Sequence, residues 1–570
     1  MATTLKSEGK FPLLRMFKVI RLKRKEITSI YFFAIMHGLL QLSIPLGIQA
    51  IINFIQAYSF STSLWLLIFF VVLGVAISGG FQVTQLKIIE RINQQIFLRY
   101  GFQYAYHIPK MDMKSVDGYY LPELVNRFFD SITLQKGLSK LLLDIPAASI
   151  QVIFGLLLLS FYSSIFVLFG VLLLLVLSLL LYITSPKAYA ASLEESDYKY
   201  KFAGWIEDIA RTIKTFKFSK GTLLHMKNSD HLMSGYLRAR TRHFNILIIQ
   251  YWALIVFKLF ITAAMLVVGA VLAINNEINI GQFVAAEIVI LMIINSVEKF
   301  ILSLDNVYDV LTSIEKLEKV LDKPLEKEGI IVLDNADRGL SINASNLSFG
   351  FEANQLLLND LNCNIPFGSK VCLMGAEGSG KSLFLRLLTG SYSSFRGALT
   401  INDIPINNYT LESLRKETGI AINDQEIFEG TILENITMGS DDISLAHLAE
   451  LANMTGFSHY LSTLHEGYET KLETTGKRLN KSKIQKILLM RALIHRPALL
   501  LLEEPWSAMD ADIKQNIQYY LLNKINNTTM VVATNDQAFA KTCDLIIVMD
   551  NGKIIAQGKP SEIDINKNRK

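Results

Sequence analysis

The stretch from Ile27 to Leu86 contains no Asp, Glu, Lys or Arg. Crossing a bilayer takes about 20 apolar residues, so this block predicts two crossings with a turn between them, near the polar run Gln56–Ser63. A second uncharged block, Ile145–Pro186, divides at Tyr162, Ser163 and Ser164. A third apolar region, Phe244–Leu304, divides at Asn275, Asn276 and Glu277. The pattern predicts six membrane helices in three hairpins, at about 27–54, 64–86, 145–161, 165–186, 244–274 and 280–304. The intervening segments carry the basic residues, with eight Lys and Arg in Lys87–Lys140 and eleven in Lys187–Arg242. Positive segments stay on the cytoplasmic side, so both termini and both long loops are expected there. Apolar residues recur at helical spacing around 85–106 and 198–220, which predicts that the membrane helices run on beyond the bilayer. No cleaved signal peptide is expected, because the uncharged block is too long for one.

The pattern changes after Asp322. Residues 323–335 read as a linker, and 336–570 as one domain in which short β-rich runs alternate with helical ones. Its central motif is Gly375-Ala376-Glu377-Gly378-Ser379-Gly380-Lys381-Ser382, followed by Leu383 and an apolar helix. This is the G-x-x-x-x-G-K-S phosphate loop, here between the buried strand Lys370–Met374 and that helix. Glycines let backbone N–H groups converge on phosphate oxygens, and the helix N-terminus faces the same anion. Lys381 adds a point charge, and the Ser382 hydroxyl suits Mg²⁺. A second apolar strand, Leu499–Leu502, ends in Glu503-Glu504. Adjacent carboxylates beside a phosphate loop allow one to serve the metal and the other to polarise water.

Composition and charge sharpen this picture. The 570 residues are 51% hydrophobic and only 19% charged, which suits a chain half in a membrane. The formal charge is +5, and residues 1–26 hold eight basic side chains against two acidic ones. That block abuts the first apolar run, so it predicts a cytoplasmic anchor, with an interfacial helix over Phe11–Val19, and no nucleic-acid partner. Cys363, Cys372 and Cys543 fit no metal or disulfide spacing and are expected as buried free thiols. Lys258, Glu287 and Glu298 lie inside apparent spans, where ionisable groups point to function. Counting from the Asn276 turn places Lys258 and Glu298 at similar depth, and Glu287 nearer the outer face and a polar pathway.

With these motifs together the sequence resembles an ABC exporter half-transporter: a six-helix α-helical transmembrane domain fused to an α/β P-loop NTPase domain, the ATP-binding cassette. The resemblance also rests on Gly430–Ile436, Glu466–Thr470, Arg491–Leu493, Ser507–Asp510 and Asn551–Ile554. It implies that Phe351 stacks on adenine, that Gly375–Leu383 hold the phosphates, that Ser382 and Glu503 hold the metal, and that Glu504 polarises water. ATP and Mg²⁺ are the implied cofactors. A second half-transporter, identical or different, is the implied partner, with two nucleotides between the two cassettes. Membrane lipid and a periplasmic adaptor are further implied contacts, and a bacterial inner membrane the implied location. The first cytoplasmic loop would touch the cassette near Asp117–Pro122, and the second near Gly204–Asp208, with Trp205 as an anchor.

Several family positions depart from the pattern. The signature L-S-G-G-Q reads Leu479-Asn480-Lys481-Ser482-Lys483, so two glycines that let the backbone close over a γ-phosphate are gone. The histidine that senses that phosphate falls at Asn535, and the lid glutamine at Asn423, with Gln425 nearby. The metal-binding aspartate falls at Glu503. The expectation is an ATP-dependent exporter that works as a dimer, binds Mg-ATP and hydrolyses it slowly by its own motifs. Two alternatives remain open: a non-transporting ATP-binding membrane scaffold, and the degenerate half of a heterodimeric exporter.

Overall fold

The computed structural model describes residues 24–56, 62–162, 164–333, 339–352, 355–423 and 425–563. The expected interfacial helix over Phe11–Val19 lies outside them. The chain forms two compact units. One runs up to Pro109 and resumes over Gly118–Lys323; the other combines Lys110–Asp117 with the chain from Pro324 onward.

The first unit is helical. Its elements are α1 (Arg24–Gln41), α2 (Ser43–Gln56), α3 (Thr62–His107), α4 (Asp130–Ser160), α5 (Ser164–Arg211), α6 (Leu224–Ile274), α7 (Ile280–Leu302) and α8 (Leu304–Leu321). Among the described residues, six stretches are long and apolar enough to cross a membrane. The first expected span is two helices: the chain breaks at Leu42, three residues before Pro45. Proline has no N–H to give and its ring crowds the carbonyl four residues earlier, here that of Gln41. The helices α3, α5 and α6 hold 46, 48 and 51 residues. At 1.5 Å per residue each is about 70 Å long, roughly twice the thickness of a hydrocarbon core. Asn276 takes φ 58° at the turn, and Asn279 opens α7 with a reciprocal capping box with Gln282.

The second unit is built on β1 (Ile342–Phe349), β2 (Leu358–Ile365), β3 (Lys370–Gly375), β4 (Arg396–Ile401), β5 (Ile404–Pro405), β6 (Thr418–Ala421), β7 (Leu499–Glu503), β8 (Thr529–Ala533), β9 (Leu545–Asp550) and β10 (Lys553–Gly558). The central sheet has the order β10-β9-β3-β8-β7-β6. All its pairings are parallel except β9 with the edge strand β10. Its inner strands are apolar through their middles because both faces are covered. Val371, Leu373, Leu499, Leu501 and Val531 join one core, while Cys372, Met374, Leu500, Leu502 and Val532 join the other. A smaller antiparallel sheet, β2-β1-β4-β5, lies beside it. All three cysteines are free and buried.

The expected linker is no free tether over residues 324–333. Glu326 meets Arg415 at 2.7 and 2.9 Å, and the backbone N–H groups of Gly329 and Ile331 donate to Tyr409 and Asn408. Of the loop segment Asp117–Pro122 expected to meet the cassette, Asp117 belongs with Lys110–Val116 to the second unit, and Gly118–Pro122 to the first. Met111 bridges Leu325, and Asp112 N donates to Pro324 O at 2.9 Å. Trp205 spends its indole N–H inside the first unit, on His225 O at 3.3 Å and Ser229 Oγ at 3.2 Å.

Candidate nucleotide site

The phosphate loop, Glu503, Glu504 and Asn535 lie at the carboxyl ends of β3, β7 and β8, where parallel sheets place their ligands. Strand β3 ends at Gly375 with φ 152°, and a Cβ there would lie 2.2 Å from Met549 O. Gly378 and Gly380 take φ 78° and 99°. These angles suit glycine and turn the loop into the N-terminus of α9 (Lys381–Leu387). Ala376, Glu377 and Gly378 are exposed at the rim, Ser379 is buried, and Leu383 packs into the core below.

Lys381 folds back over its own loop, with Nζ donating to Gly375 O (2.7 Å), Ala376 O (2.8 Å) and Ser379 Oγ (3.2 Å). Burial pushes its ammonium below the usual range, against the opposing pull of Glu504, Glu503 and Glu377. A nucleotide phosphate offers this amine a stronger acceptor than neutral carbonyls do.

Ser382 Oγ donates to Glu503 Oε1, and Asn423 N donates to Glu503 Oε2 at 3.2 Å. A hydroxyl and a carboxylate in contact beside a phosphate loop are hard oxygen ligands suited to Mg²⁺, which takes few protein ligands and fills its octahedron with phosphate and water. Glu504 is the first residue beyond β7 and has φ 42°. Its N–H donates to Ala533 O (2.9 Å), its Oε2 accepts from Thr534 Oγ1 (3.1 Å), and its Oε1 accepts from Asn535 N (3.3 Å). Asn535 Oδ1 in turn accepts from Gly375 N at 3.1 Å. Asparagine here ties the end of β8 to the start of the phosphate loop.

Phe351 is half-buried, edge-on to Phe349 (5.4 Å) and Tyr392 (5.7 Å). The preceding carbonyl, Gly350 O, accepts from Lys114 Nζ at 3.2 Å. The signature residues lie apart from this loop. Asn480 caps α10 (Lys481–Leu493) by accepting from Lys483 N at 2.9 Å. Lys483 Nζ sits 3.6 Å over the Tyr460 ring, so that charge is engaged locally, while Lys481 is exposed.

Three participants were not singled out from the sequence. Thr534 adjoins Asn535, Lys114 lies 237 positions before Phe351, and Gln485 lies two past the signature. Gln485 Nε2 donates to Glu504 O (2.6 Å) and Ser507 Oγ (3.1 Å), and its Oε1 accepts from Ala508 N (3.1 Å). Only the first had a signal beside it, a hydroxyl next to a flagged position.

Comparison with known proteins decides the family. Residues 27–297 match the ABC transporter transmembrane region, and residues 358–507 match the ABC transporter family, so the two matches take in most of the chain. The chain belongs to the ABC transporter family. Similar proteins include a multidrug efflux ATP-binding/permease protein of Mycobacterium tuberculosis, 32% identical over 44% of this chain and 21% of its own length. An uncharacterized ABC transporter ATP-binding protein of Bacillus subtilis is 30% identical over 53% of this chain and 50% of its own. An ATP-dependent lipid A-core flippase of Legionella pneumophila is 29% identical over 53% and 51%. The matches thus span about half the length of these relatives or less. A bacterial Atm1-family ABC exporter with ATP bound has the same fold, with TM-score 0.82 at 18% identity over 95% of this chain and 96% of that one. This ABC transporter is therefore an integral, multi-pass membrane protein with an ATP-binding domain.

Proposed function

We propose that this ABC transporter is an ATP-driven exporter that works as a dimer of half-transporters, with both termini in the cytoplasm of a bacterium and its helices in the inner membrane. The observation that carries this reading is the assembly of an intact phosphate loop, the Ser382–Glu503 contact and the held Glu504 in a chain with six membrane-length helical stretches among its described residues. Phe351 supports the adenine, the backbone of Gly375–Ser382 and the Lys381 amine take the phosphates, and Ser382 with Glu503 holds Mg²⁺. The metal, when bound, neutralises phosphate charge. Glu504 accepts a proton from the attacking water, and Thr534 and Asn535 N hold its carboxylate for that task. Asn423 lies beside Glu503 and closes that edge of the site.

Hydrolysis by two copies of this chain is slow in this reading. Lys481 and Ser482 replace the glycines that would close on the partner's nucleotide, and Asn535 carries no exchangeable ring proton. The same substitutions favour a second reading, that this chain is the degenerate half of a heterodimer whose partner supplies a complete signature. The apolar spans suit a lipid-like or amphiphilic substrate, in keeping with relatives named for multidrug efflux and for lipid A-core flipping. A periplasmic adaptor is an additional partner open to co-purification.

The test is ATP-dependent uptake into inside-out vesicles, with Glu504→Gln as the matched control. Loss of transport in the variant supports the pump. Full function of the variant in cells, with no transport by either protein, replaces it with an ATP-binding scaffold.

A further inference from the structure

Helix α7 divides into two faces. Ala286, Val289, Ile290, Ile293 and Val297 are buried against the rest of the first unit. The opposite stripe, at spacings of three and four, carries Glu287, Leu291, Asn295, Glu298 and Leu302, none of them buried. Both carboxylates of the helix therefore fall, part-exposed, on the stripe its own chain covers least, together with the exposed Leu291 and Leu302. Lipid selects the reverse, since charged groups in a bilayer turn toward protein or a water-filled cavity. Two carboxylates and Asn295 on one stripe suit a polar volume better than lipid.

The two carboxylates differ in their surroundings. Glu298 is paired with Lys258 of α6 at 3.3 Å and accepts from Tyr251 OH at 3.5 Å. As a unit that pair is neutral. Glu287 lies eleven positions away, about 16 Å along the helix and well inside the span. Among the described residues no cation or hydrogen-bond donor is paired with it. A half-buried carboxylate with the apolar Leu291 one turn away, and no counter-charge among the described residues, is complementary to a positive centre carried on an apolar body.

We propose that Glu287 is a substrate-binding residue and that this transporter takes amphiphilic organic cations, with the positive centre held at Glu287 and the apolar body along Leu291. The proposal rests on the export reading above and names the substrate class for it. A carboxylate close to a bound cation in a partly dry cavity is worth at least tenfold in affinity.

The experiment uses the full chain, as purified in its dimeric state, in lipid nanodiscs. Equilibrium dialysis compares tetraphenylphosphonium with tetraphenylborate, ions of matched shape and opposite charge, against empty nanodiscs. Saturable binding of the cation is expected, weakened about tenfold or more by Glu287→Gln and restored to within a fewfold by Glu287→Asp, with ATP binding unchanged in both variants. Equal binding of the two ions, or wild-type cation affinity in Glu287→Gln, overturns the proposal. So does oxidative cross-linking of Glu287→Cys between copies that tetraphenylphosphonium does not impede, since the stripe is then an interface. Vesicle transport without cation preference removes this site alone. Cation binding without any ATP-driven transport removes the export reading alone.

Discussion

Glu504 shows how one residue joins local strain to chemistry. It sits just past the end of a strand buried on both faces, in a left-handed conformation that side chains rarely adopt, with both carboxylate oxygens hydrogen-bonded from the two residues that follow β8. The Ala533–Glu503 register of β8 and β7 puts Thr534 and Asn535 opposite it. Replacing Glu504 by Gln keeps the shape and removes the proposed base. Nucleotide binding is expected within a fewfold of wild type while phosphate release in single-turnover assays falls about 10²-fold or more. Equal single-turnover rates would remove Glu504 from the catalytic role. The phosphate loop was legible in the sequence because its chemistry is contiguous: glycines, lysine and serine at fixed spacing between a strand and a helix. Thr534, Gln485 and Lys114 were not, because each acts on a residue brought near only by tertiary pairing.

At the scale of elements, the membrane hairpins were legible from uncharged runs, because a bilayer imposes a length and forbids charge. Where each helix leaves the membrane was less so, since beyond the bilayer burial depends on which helices meet. The polar cluster where α5, α6 and α8 meet is an example. His243 is fully buried, with Nδ1 3.1 Å from Glu195 and Nε2 3.8 Å from Asp305, while Arg240 meets Glu195 at 3.2 Å. Burial and the nearby Asp305 push the Asp309 carboxyl up from 3.8 to about 6, against the pull of His243 and Arg240. A carboxyl that holds its proton more tightly in the folded state stabilises the fold at low pH, and this contribution is lost as pH rises from about 4 through about 6. Asp309→Asn is expected to flatten that fall, read as the difference in melting temperature between pH 4.5 and 7 in detergent. An unchanged pH profile would show that Asp309 titrates normally. The segment Lys110–Asp117 gives a second test at this scale. Lys114 holds Gly350 O next to Phe351 and lies 5.7 Å from the Phe349 ring. Lys114→Met keeps the length and removes the donor, so affinity for ATP is expected to fall a fewfold with inorganic phosphate binding unaffected, both measured by calorimetry. Equal ATP affinity would confine Lys114 to docking its own segment.

At the scale of the whole molecule, the cassette is uneven: the residues proposed to bind its own nucleotide are assembled, while the segment it would offer a second copy departs from the family signature. Asn480 and Lys483 are committed to capping α10 and to Tyr460, and Lys481 and Ser482 stand where a γ-phosphate would need bare backbone. Restoring the four positions as Asn480→Ser, Lys481→Gly, Ser482→Gly and Lys483→Gln is expected to raise hydrolysis by the homodimer about 10²-fold, because a closed donor set acts on the transition state more than on bound ATP. Glycine at the first helical positions costs α10 up to about 1 kcal/mol each, so a lower melting temperature accompanies the gain and does not contradict it. A Lys381→Ala version of the restored chain supplies the blank. If the restored homodimer stays slow while the unmodified chain turns over when mixed with a half-transporter that has a complete signature, the limiting element is the second chain. The heterodimer then replaces the homodimer as the working form.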